Sequence, residues 1–493
     1  MHLGALLGRD VGHRLIHPQH GIGYLRGEAI DIGLGDTSSG ALSEISPGDK
    51  RIRIDRRIAP ADRGLEFPPS FPIGTMSHIL FIASDYKPRI GGIAAFTDGL
   101  ARGLISSGHD VQVLVVVQPD EKERIAFLQE YEPWAVPFEM VHDKRPEQWI
   151  GDKLVGALEI ARCVSRRARQ GLGKTRIFRN SSAAIARLAQ FIEPRKPLSV
   201  VFGHLDENLY ALALFLKDRD VPYGVLAHDF EVCRQPYLIN DRIRRGMMLG
   251  GARWIAANSR HTKGLLEMWR LSEEKIMIVH PPVSNELLLA AATSCRNHDG
   301  STYNLSTICR LVKPKGVDIV LRALKHLHDS GISFRYVVAG EGPERNNLER
   351  LAEELGVRRS VHFAGYVTEQ EKCALLGSTD VFVMPSRVHP RESHEGFGLV
   401  FIEAAVFGAP SVGSNAGGIP DAIVDGETGL LVAPESPESL AHALTWFHQH
   451  PEERKQMGRR AMERAQSRFS PKAIAEQFER EMERRLPSPP PAH

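Results

Sequence analysis

The chain has 493 residues, of which 42% are hydrophobic and 25% are charged, and its formal net charge is +2. A chain of this length is too long for one compact core and indicates two domains. The nearly neutral net charge does not indicate that the protein binds nucleic acid. The five cysteines show no CxxC spacing, which is typical of reduced thiols in a cytoplasmic protein, and no apolar run is long enough to span a membrane.

The two ends of the chain differ in composition from the rest. Residues 1–75 are rich in Gly, Ser, Asp, Pro and Arg and have little apolar periodicity, so we expect a mostly disordered leader. A regular pattern begins directly after Met76, which makes Met76 a candidate start of the protein. Residues 487–493 are rich in proline and predict a flexible tail.

From residue 78 onwards, apolar runs alternate with helical spacing. The run His78–Ala83 predicts a buried strand, the loop Ser84–Gly92 ends in two glycines, and Ile93–Ser107 has the i, i+3, i+4 spacing of a helix. A second strand follows, which completes a βαβ unit. Ligands bind beyond the carboxyl ends of strands in such sheets, so we expect Gly91 and Gly92 at a cleft; the alternative is a tight turn without a ligand.

Four further apolar runs continue this pattern to residue 285 and predict a doubly wound parallel sheet. These runs are Leu198–His204, Pro222–Ala227, Trp254–Ser259 and Ile276–Val279. His228 follows one run and His204 ends another, so both are candidates for binding a ligand at the carboxyl edge, although a single histidine can equally be a satisfied core residue. Asp85 and Tyr86, in the first loop, either line the same edge or are ordinary loop residues.

A basic run without acids lies within this first half of the chain. It consists of Arg162, Arg166, Arg167, Arg169, Lys174, Arg176 and Arg179. A basic helical stretch can bind an anionic membrane surface, so Arg162–Arg179 is a candidate for peripheral membrane contact. The alternative is a solvated charged face.

A second set of alternating runs predicts another sheet. Its strands are expected at Asn304–Cys309, Phe334–Ala339, Val361–Ala364, Val381–Met384 and Ser411–Val412. Gly340 and Gly342 follow one strand as in a dinucleotide fingerprint, but the third glycine is missing and Pro343 intervenes, so that interpretation is weak. Arg310 and Lys315 share the loop after the first strand, where two cations can neutralise a diphosphate; in isolation they would be ordinary solvated side chains.

The most informative stretch begins at Glu395. The loop Glu395–Gly398 runs into the apolar segment Leu399–Phe407, which predicts a short buried helix. The glycines allow the backbone to approach a ligand closely, and the N-terminus of a helix favours an anion. Glu395 beside this seat and Glu403 within the helix can accept hydrogen bonds from sugar and ribose hydroxyls, whereas two isolated acids would be solvated or salt-bridged. The combination fits a nucleotide sugar.

Taken together, these motifs resemble those of the family-four retaining glycosyltransferases, which have the GT-B fold. The resemblance rests on Glu395–Gly398, Glu403-Ala404, Gly408–Pro410, Gly417-Gly418, Asp425-Gly426 with Gly429, the GGI loop at Gly91, Arg310 with Lys315-Gly316, and Gly340–Pro343. It implies an α/β fold of two doubly wound Rossmann-like domains facing a central cleft. Residues 76–285 would form the acceptor domain, 286–470 the nucleotide-sugar domain, and 471–486 a helix that crosses back to the first domain.

The resemblance also implies transfer of a sugar from a nucleotide-diphosphate sugar to a hydroxyl acceptor, with retention of configuration. The catalytic residues would be His228, Glu395, Arg310 and Lys315. The donor-binding residues would be Gly91, Gly92, Arg310, Lys315, Gly340, Glu395, Gly396, Phe397, Gly398, Leu399 and Glu403. No DxD motif lies near a strand end in either domain, and His389, Glu392 and His394 match no strong metal motif, so we expect neither a metal nor another cofactor.

Two other interpretations stay open at this stage. One is another enzyme with the same fold, such as a sugar-nucleotide epimerase or a phosphorylase, although no motif indicates the cofactor lysine that a phosphorylase needs. The other is a non-catalytic protein that binds a sugar nucleotide or a partner. The presence of Arg310, Lys315, Glu395 and Glu403 argues against that second possibility. The sequence does not identify the sugar or the acceptor.

Overall fold

A computed structural model describes residues 78–89, 91–118, 120–132, 134–139, 176–192, 198–206, 209–233, 239–293, 302–387 and 395–485. The predicted leader and tail, the basic residues Arg162–Lys174, and the loop with His389, Glu392 and His394 lie outside the described residues. Within the described part of the chain, none of the helices combines the length and the apolar character needed to cross a bilayer.

The first half of the described chain forms a parallel sheet. Its strands are β1 (His78–Ala83), β2 (Asp110–Val117), β3 (Ala135–Glu139), β4 (Leu198–Phe202), β5 (Tyr223–Ala227), β6 (Trp254–Ala257) and β7 (Ile276–Ile278). Its helices are α1 (Gly92–Ser106), α2 (Lys122–Tyr131), α3 (Arg176–Ile192), α4 (Tyr210–Asp218), α5 (Asp229–Cys233), α6 (Ile239–Gly251) and α7 (Arg260–Glu267). The strand order is β3-β2-β1-β4-β5-β6-β7.

The second half repeats this architecture. Its strands are β8 (Tyr303–Ile308), β9 (Phe334–Ala339), β10 (Val361–Gly365), β11 (Val381–Met384), β12 (Ser411–Ser414) and β13 (Gly429–Val432). Its helices are α8 (Asn285–Thr293), α9 (Val317–Asp329), α10 (Arg345–Glu354), α11 (Glu369–Gly377), α12 (Leu399–Val406), α13 (Ile419–Ala422), α14 (Pro437–Gln449), α15 (Pro451–Phe469) and α16 (Pro471–Glu483). The order β10-β9-β8-β11-β12-β13 makes this sheet doubly wound as well, so the predicted α/β fold is confirmed.

Each sheet has one point where its strand order reverses. In the first sheet that point lies between β1 and β4, and in the second between β8 and β11. Loops after such neighbouring strands diverge to opposite faces and leave a crevice at the carboxyl ends. The loops that carry Gly91, His204, Arg310 and Glu395 all follow these four strands. The topology therefore brings the sequence-predicted candidates to two crevices.

The last helix joins the two halves. α16 packs along α1 so closely that a methyl group on Gly103 would overlap the carbonyl oxygen of Pro471. Phe478 of α16 meets the ring of Trp254 edge-on at 5.2 Å, and the N–H of Val283 donates to the carbonyl of Phe469 at 2.8 Å. One apolar cluster runs without interruption from the first sheet through α15 and α16 to α12. The predicted helix that crosses back is therefore present.

The contact between α1 and α16 provides a test of this arrangement. Gly103→Ala should lower the thermal midpoint, because a well-packed backbone contact has no room for a methyl group and overpacking costs about 1–3 kcal/mol. Gly250→Ala in α6 is the matched control, since no atom lies within 4 Å of the added carbon there. Alanine at that helical position should leave the midpoint unchanged or raise it. Equal midpoints for the two variants would contradict the close approach of α1 and α16.

Candidate active site

The loop Glu395–Gly398 ends at the start of α12. Gly398 lies in the left-handed region with φ 88°, which favours glycine, and an added side chain would clash with the ring of Phe401. No side chain caps α12 among the described residues. The N–H of Phe401 donates to the carbonyl of Gly398 at 2.9 Å, so the N–H groups of Leu399 and Val400 are the ones that this helix N-terminus offers to an anion.

Two neighbouring backbones hold this loop in place. The N–H of Gly418 donates to the carbonyl oxygen of Glu395 at 2.7 Å, and a methyl group on Gly418 would overlap the carbonyl oxygen of Gly396. On the other side, a methyl group on Gly396 would lie 3.0 Å from the amide nitrogen of Asn258 and 3.1 Å from Cβ of Asp229. The loop therefore lies between the second sheet and the carboxyl ends of β5 and β6.

Lys315 and Glu395, which are 80 residues apart, form an ion pair in this crevice. The ammonium of Lys315 lies 2.5 Å from Oε2 of Glu395, and their side chains are 28% and 15% exposed. Burial lowers the pKa of the Lys315 ammonium, but the Glu395 carboxylate outweighs burial and the pKa lies above its usual value. Arg310 is exposed, and its guanidinium forms no ion pair with the residues that the structure describes. The structure thus brings Lys315 and Glu395 together, and Arg310 lies exposed in the same loop as Lys315.

Arg387 holds the loop that carries Lys315, and no sequence motif predicted this role. Its guanidinium donates two hydrogen bonds to Asp318, at 2.7 and 2.6 Å, and one to the carbonyl of Lys313 at 2.8 Å. Gly316 lies against the carbonyl of Pro385, where no side chain would fit. These contacts join the loops after β8 and β11, so that Lys315 is held facing Glu395.

Three predicted donor residues have other roles in the structure. Glu403 pairs with Lys372 of α11 at 3.2 Å, a partner that the sequence did not predict. Phe397 is only 2% exposed and its ring stacks on His280 at 5.1 Å, so this side chain packs in the core instead of facing a ligand. The N–H of Gly340 donates to the carbonyl of Gly365 at 2.6 Å, which makes Gly340 a support of the neighbouring loop.

His228 lies at the carboxyl end of β5, as expected, but it is almost fully buried. Its Nε2 donates to the carbonyl of Gly203 at 3.2 Å, because a carbonyl can only accept. Burial lowers the pKa of His228 to about 3, so the ring is neutral at pH 7. The backbone N–H of His228 donates to Oε1 of Glu231 at 2.8 Å. Burial raises the pKa of the Glu231 carboxyl, which the sequence did not predict as part of the site, to about 8.

The remaining candidates line the edge of the first sheet. Nε2 of His204 lies 3.1 Å from Oγ of Ser84, which donates to Asp206 at 2.7 Å. Gly91 and Gly92 are exposed at the start of α1, and no atom lies within 4 Å of a methyl group placed on Gly92. The expectation that Tyr86 could line this edge is wrong. Its ring is fully buried and its hydroxyl donates to Asp98 at 2.9 Å.

Two observations delimit the site. No group of three or more His, Cys, Asp or Glu side chains with the geometry to hold a metal ion occurs among the described residues. A groove of about 910 Å³ opens at the opposite, amino-terminal edge of the first sheet, between residues 217–222, 251–253, 272–275 and 481–485. Its lining mixes basic and acidic side chains. It lies far from the crevice between β8 and β11, which holds the open helix N-terminus and the cations.

Two doubly wound sheets, with an open helix N-terminus, two cations and a carboxylate between them, define a class of two-domain proteins suited to a phosphorylated polyhydroxy ligand. The sequence matches the model of "Glycosyltransferase Family 4" over residues 90–287 and that of "Glycosyl transferases group 1" over residues 297–464. The chain belongs to the group 1 glycosyltransferase family.

Two relatives with curated names are each matched over part of their length. The D-inositol 3-phosphate glycosyltransferase of Corynebacterium aurimucosum is 32% identical over 282 residues, which are 53% of this chain and 65% of that protein. The D-rhamnosyltransferase WbpZ of Pseudomonas aeruginosa is 36% identical over 157 residues, 32% of this chain and 39% of the relative. The chain thus covers less than two thirds of the length of each of these two relatives.

Solved structures agree on the fold. A glycosyltransferase from Rickettsia africae superposes with a TM-score of 0.62 at 16% identity, over 84% of this chain and 100% of that one. HepE of Anabaena, solved in complex with UDP, superposes with a TM-score of 0.59 at 17% identity, over 82% of this chain and 99% of that one. At such identities the likeness establishes the GT-B architecture.

The buried state of His228 predicts a pH dependence of stability. A histidine with a pKa of about 3 in the folded protein and about 6.5 unfolded binds fewer protons when folded, so its contribution is complete above pH 6.5 and falls as the pH decreases. Between pH 7 and pH 5 the loss should be about 2 kcal/mol. His228→Gln, which can still donate to Gly203, should therefore lose less thermal stability over this interval than the wild type.

The control is His362→Gln on β10, where the side chain is exposed. Thermal midpoints of the wild type and of both variants are measured at pH 7 and pH 5. The control should repeat the wild-type decrease. A decrease in His228→Gln as large as that of the wild type would show that His228 is not held neutral.

Proposed function

We propose that the protein is a retaining glycosyltransferase, which moves a sugar from a nucleotide-diphosphate sugar to a hydroxyl of an acceptor. The observation that carries the proposal is the pair Lys315–Glu395 at the open N-terminus of α12, between the two sheets. Family membership supports it, as do the names of the two relatives. HepE, whose fold this chain shares, was also solved with UDP-glucose.

The donor diphosphate would occupy the start of α12. There it would meet the first amide groups of the helix, with Arg310 and Lys315 as counter-charges. In the ligand-free protein Lys315 is bound to Glu395, so an incoming diphosphate would compete for the ammonium. Glu395 would then be available to accept hydrogen bonds from the transferred sugar. We infer that Arg310, Lys315 and the helix N-terminus stabilise the charge that develops on the leaving diphosphate, without a metal ion.

The acceptor would lie against the carboxyl edge of the first sheet, near His228 and His204. Retention is proposed because the family that the motifs resemble retains the anomeric configuration. Retaining glycosidases use a carboxylate nucleophile about 5 Å from the acid, whereas Glu395 is assigned here to holding the sugar hydroxyls. The acceptor hydroxyl would then attack from the face that the diphosphate leaves. His228, neutral and fixed by Gly203, would contribute its other ring nitrogen as a hydrogen-bond acceptor. The cytoplasmic location of the reaction stays a prediction.

Three substitutions test the donor site. Glu395→Gln should lower kcat about 10²–10³-fold and leave the affinity for the nucleoside diphosphate almost unchanged, because the carboxylate acts on the sugar as charge develops. Arg310→Ala and Lys315→Ala should weaken both, since the diphosphate is charged already in the ground state. A panel of nucleotide sugars is assayed for free nucleotide, and UDP, GDP and ADP are titrated by intrinsic fluorescence.

The exposed pair Lys455–Glu452 on α15, at 2.8 Å, provides matched controls. Glu452→Gln and Lys455→Ala should behave as the wild type, and EDTA should not inhibit. Normal turnover of Glu395→Gln, or unchanged binding of the diphosphate by Arg310→Ala and Lys315→Ala, would place the donor elsewhere. If the wild type releases nucleotide from no donor in the panel, the proposed function is wrong.

Membrane contact through Arg162–Arg179 is a separate proposal, supported by the sequence pattern alone. Charge reversal at Arg166, Arg167 and Arg169 should weaken cosedimentation with anionic liposomes, most strongly at low salt, because screening shortens the range of the attraction. Reversal of Arg322, Arg335 and Arg459, three exposed arginines of the second half, is the matched control. Equal binding of the two triple variants, or no binding by the wild type, would exclude this contact.

A further inference from the structure

An ion pair crosses between the two halves of the molecule beside the loop Glu395–Gly398. Arg260, the first residue of α7, donates its backbone N–H to Oδ2 of Asp421 at 2.5 Å, and its guanidinium Nε donates to the other carboxylate oxygen. Its terminal nitrogen also donates to the carbonyl of Pro420 at 3.3 Å. The Asp421 side chain is 5% exposed, whereas that of Arg260 is 70% exposed.

Asp421 belongs to the part of the second half that supports Glu395. Its N–H donates to the carbonyl of Gly418 at 3.0 Å, and the N–H of Gly418 holds the carbonyl of Glu395 at 2.7 Å. Arg464 of α15 donates to the carbonyls of Asp421 and Ala422 at 2.7 and 2.8 Å. α13 is therefore tied to the second half and lies one hydrogen bond away from the backbone of Glu395.

Arg260 is held just as firmly to the first half. Ser259 caps α7 by accepting the N–H of Thr262, and Thr262 donates its hydroxyl to Asn258 at 2.7 Å. Asn258 itself lies against Gly396. The end of β6 thus contacts the Glu395–Gly398 loop directly through Asn258 and indirectly through Arg260, Asp421 and Gly418.

The negative charge of Asp421 determines which arrangement of the two halves this contact favours. A nearly buried carboxylate is stable only while hydrogen-bond donors satisfy it, and removing one partner of such a pair is strongly unfavourable. Separation of the two halves would remove the two donors that Arg260 provides. The pair therefore favours the arrangement in which the first half rests against the Glu395–Gly398 loop.

We propose that Arg260 and Asp421 are positioning residues of the transfer reaction, a latch through which apposition of the two halves fixes Glu395. The inference rests on the proposed function and adds residues that make no contact with the donor. The diphosphate seat, formed by Arg310, Lys315 and α12, lies entirely on the second half. Loss of the latch should therefore reduce turnover and leave binding of the diphosphate intact.

The test compares Asp421→Asn and Arg260→Ala with the wild type in the full-length protein. We expect kcat to fall about 10–100-fold in both, since a misplacement of about 1 Å costs up to 10²-fold, while the Kd for UDP, GDP or ADP changes less than about 3-fold. Arg260→Lys, which keeps the charge and the backbone donor, should recover part of the lost turnover. In Arg260→Ala the backbone N–H at position 260 still donates to the buried carboxylate of Asp421. This variant therefore keeps the test valid if Asp421→Asn folds poorly.

Asp380→Asn is the control, because Asp380 is a largely buried carboxylate that forms an ion pair with Arg454 at 2.9 Å inside the second half. It should change the thermal midpoint but not kcat. Amide hydrogen exchange of residues 395–401 provides a readout without substrate: it should rise in Asp421→Asn and Arg260→Ala, and stay at the wild-type level in Asp380→Asn.

The outcomes separate the two proposals. A wild type that binds none of the three diphosphates and turns over no donor contradicts the proposed function. Normal kcat and unchanged exchange in both latch variants, with an active wild type, overturns the latch alone. A parallel loss of kcat in Asp380→Asn would also overturn it, because a general loss of stability would then explain the effect.

Discussion

The close approach of two glycine backbones, at Gly396 and Gly418, is the constraint on which the candidate site depends. The amide of Gly418 holds the carbonyl of Glu395, and a methyl group on Gly418 would overlap the carbonyl oxygen of Gly396. On its opposite side the same loop meets Asp229 and Asn258 of the first half, which would have to shift by a few tenths of an ångström to admit a methyl group on Gly396. The loop that carries Glu395 is therefore packed closely on both sides, so the geometry of the site depends on the apposition of the two halves.

Electrostatics then decides how the site receives a ligand. Lys315 and Glu395 are largely buried, and the Glu395 carboxylate holds the pKa of the Lys315 ammonium above its usual value. In the proposed function a diphosphate, which carries more negative charge than a carboxylate, would replace Glu395 as the partner of Lys315. Arg387 and Asp318 keep the Lys315 loop in place during that exchange, because their two parallel hydrogen bonds restrain the guanidinium in both position and plane.

The two halves are joined by apolar packing far from the crevice and by polar contacts near it. α16 packs against α1 and Trp254. Burial of its apolar face there contributes the larger part of the free energy that joins the two halves, and this part depends little on direction. Near the crevice the contacts are specific: Arg260 pairs with Asp421, and His280 stacks on Phe397 and also meets the ring of Phe469 at the end of α15. This division lets the polar contacts adjust to a ligand while the apolar attachment holds the chain together.

The local pattern of the chain was enough to predict most of the scaffold. β1, β9 and β11 have the predicted ends, because strands buried on both faces are continuous apolar runs bounded by glycine or polar residues. The strands β3 and β13 were not predicted, since the first contains a proline and the second begins with a glycine, two residues that are depleted in strands. The sequence also placed Arg310, Lys315 and Glu395 in loops at the carboxyl ends of strands. The sequence did not predict which side chains pair with each other. Lys372 meets Glu403 across 31 residues, Arg387 meets Asp318 across 69, and Arg260 meets Asp421 across 161. Periodicity is a local property, whereas the partner of a charge, and the burial of Phe397 and Tyr86, depend on which distant segments the folded chain brings together.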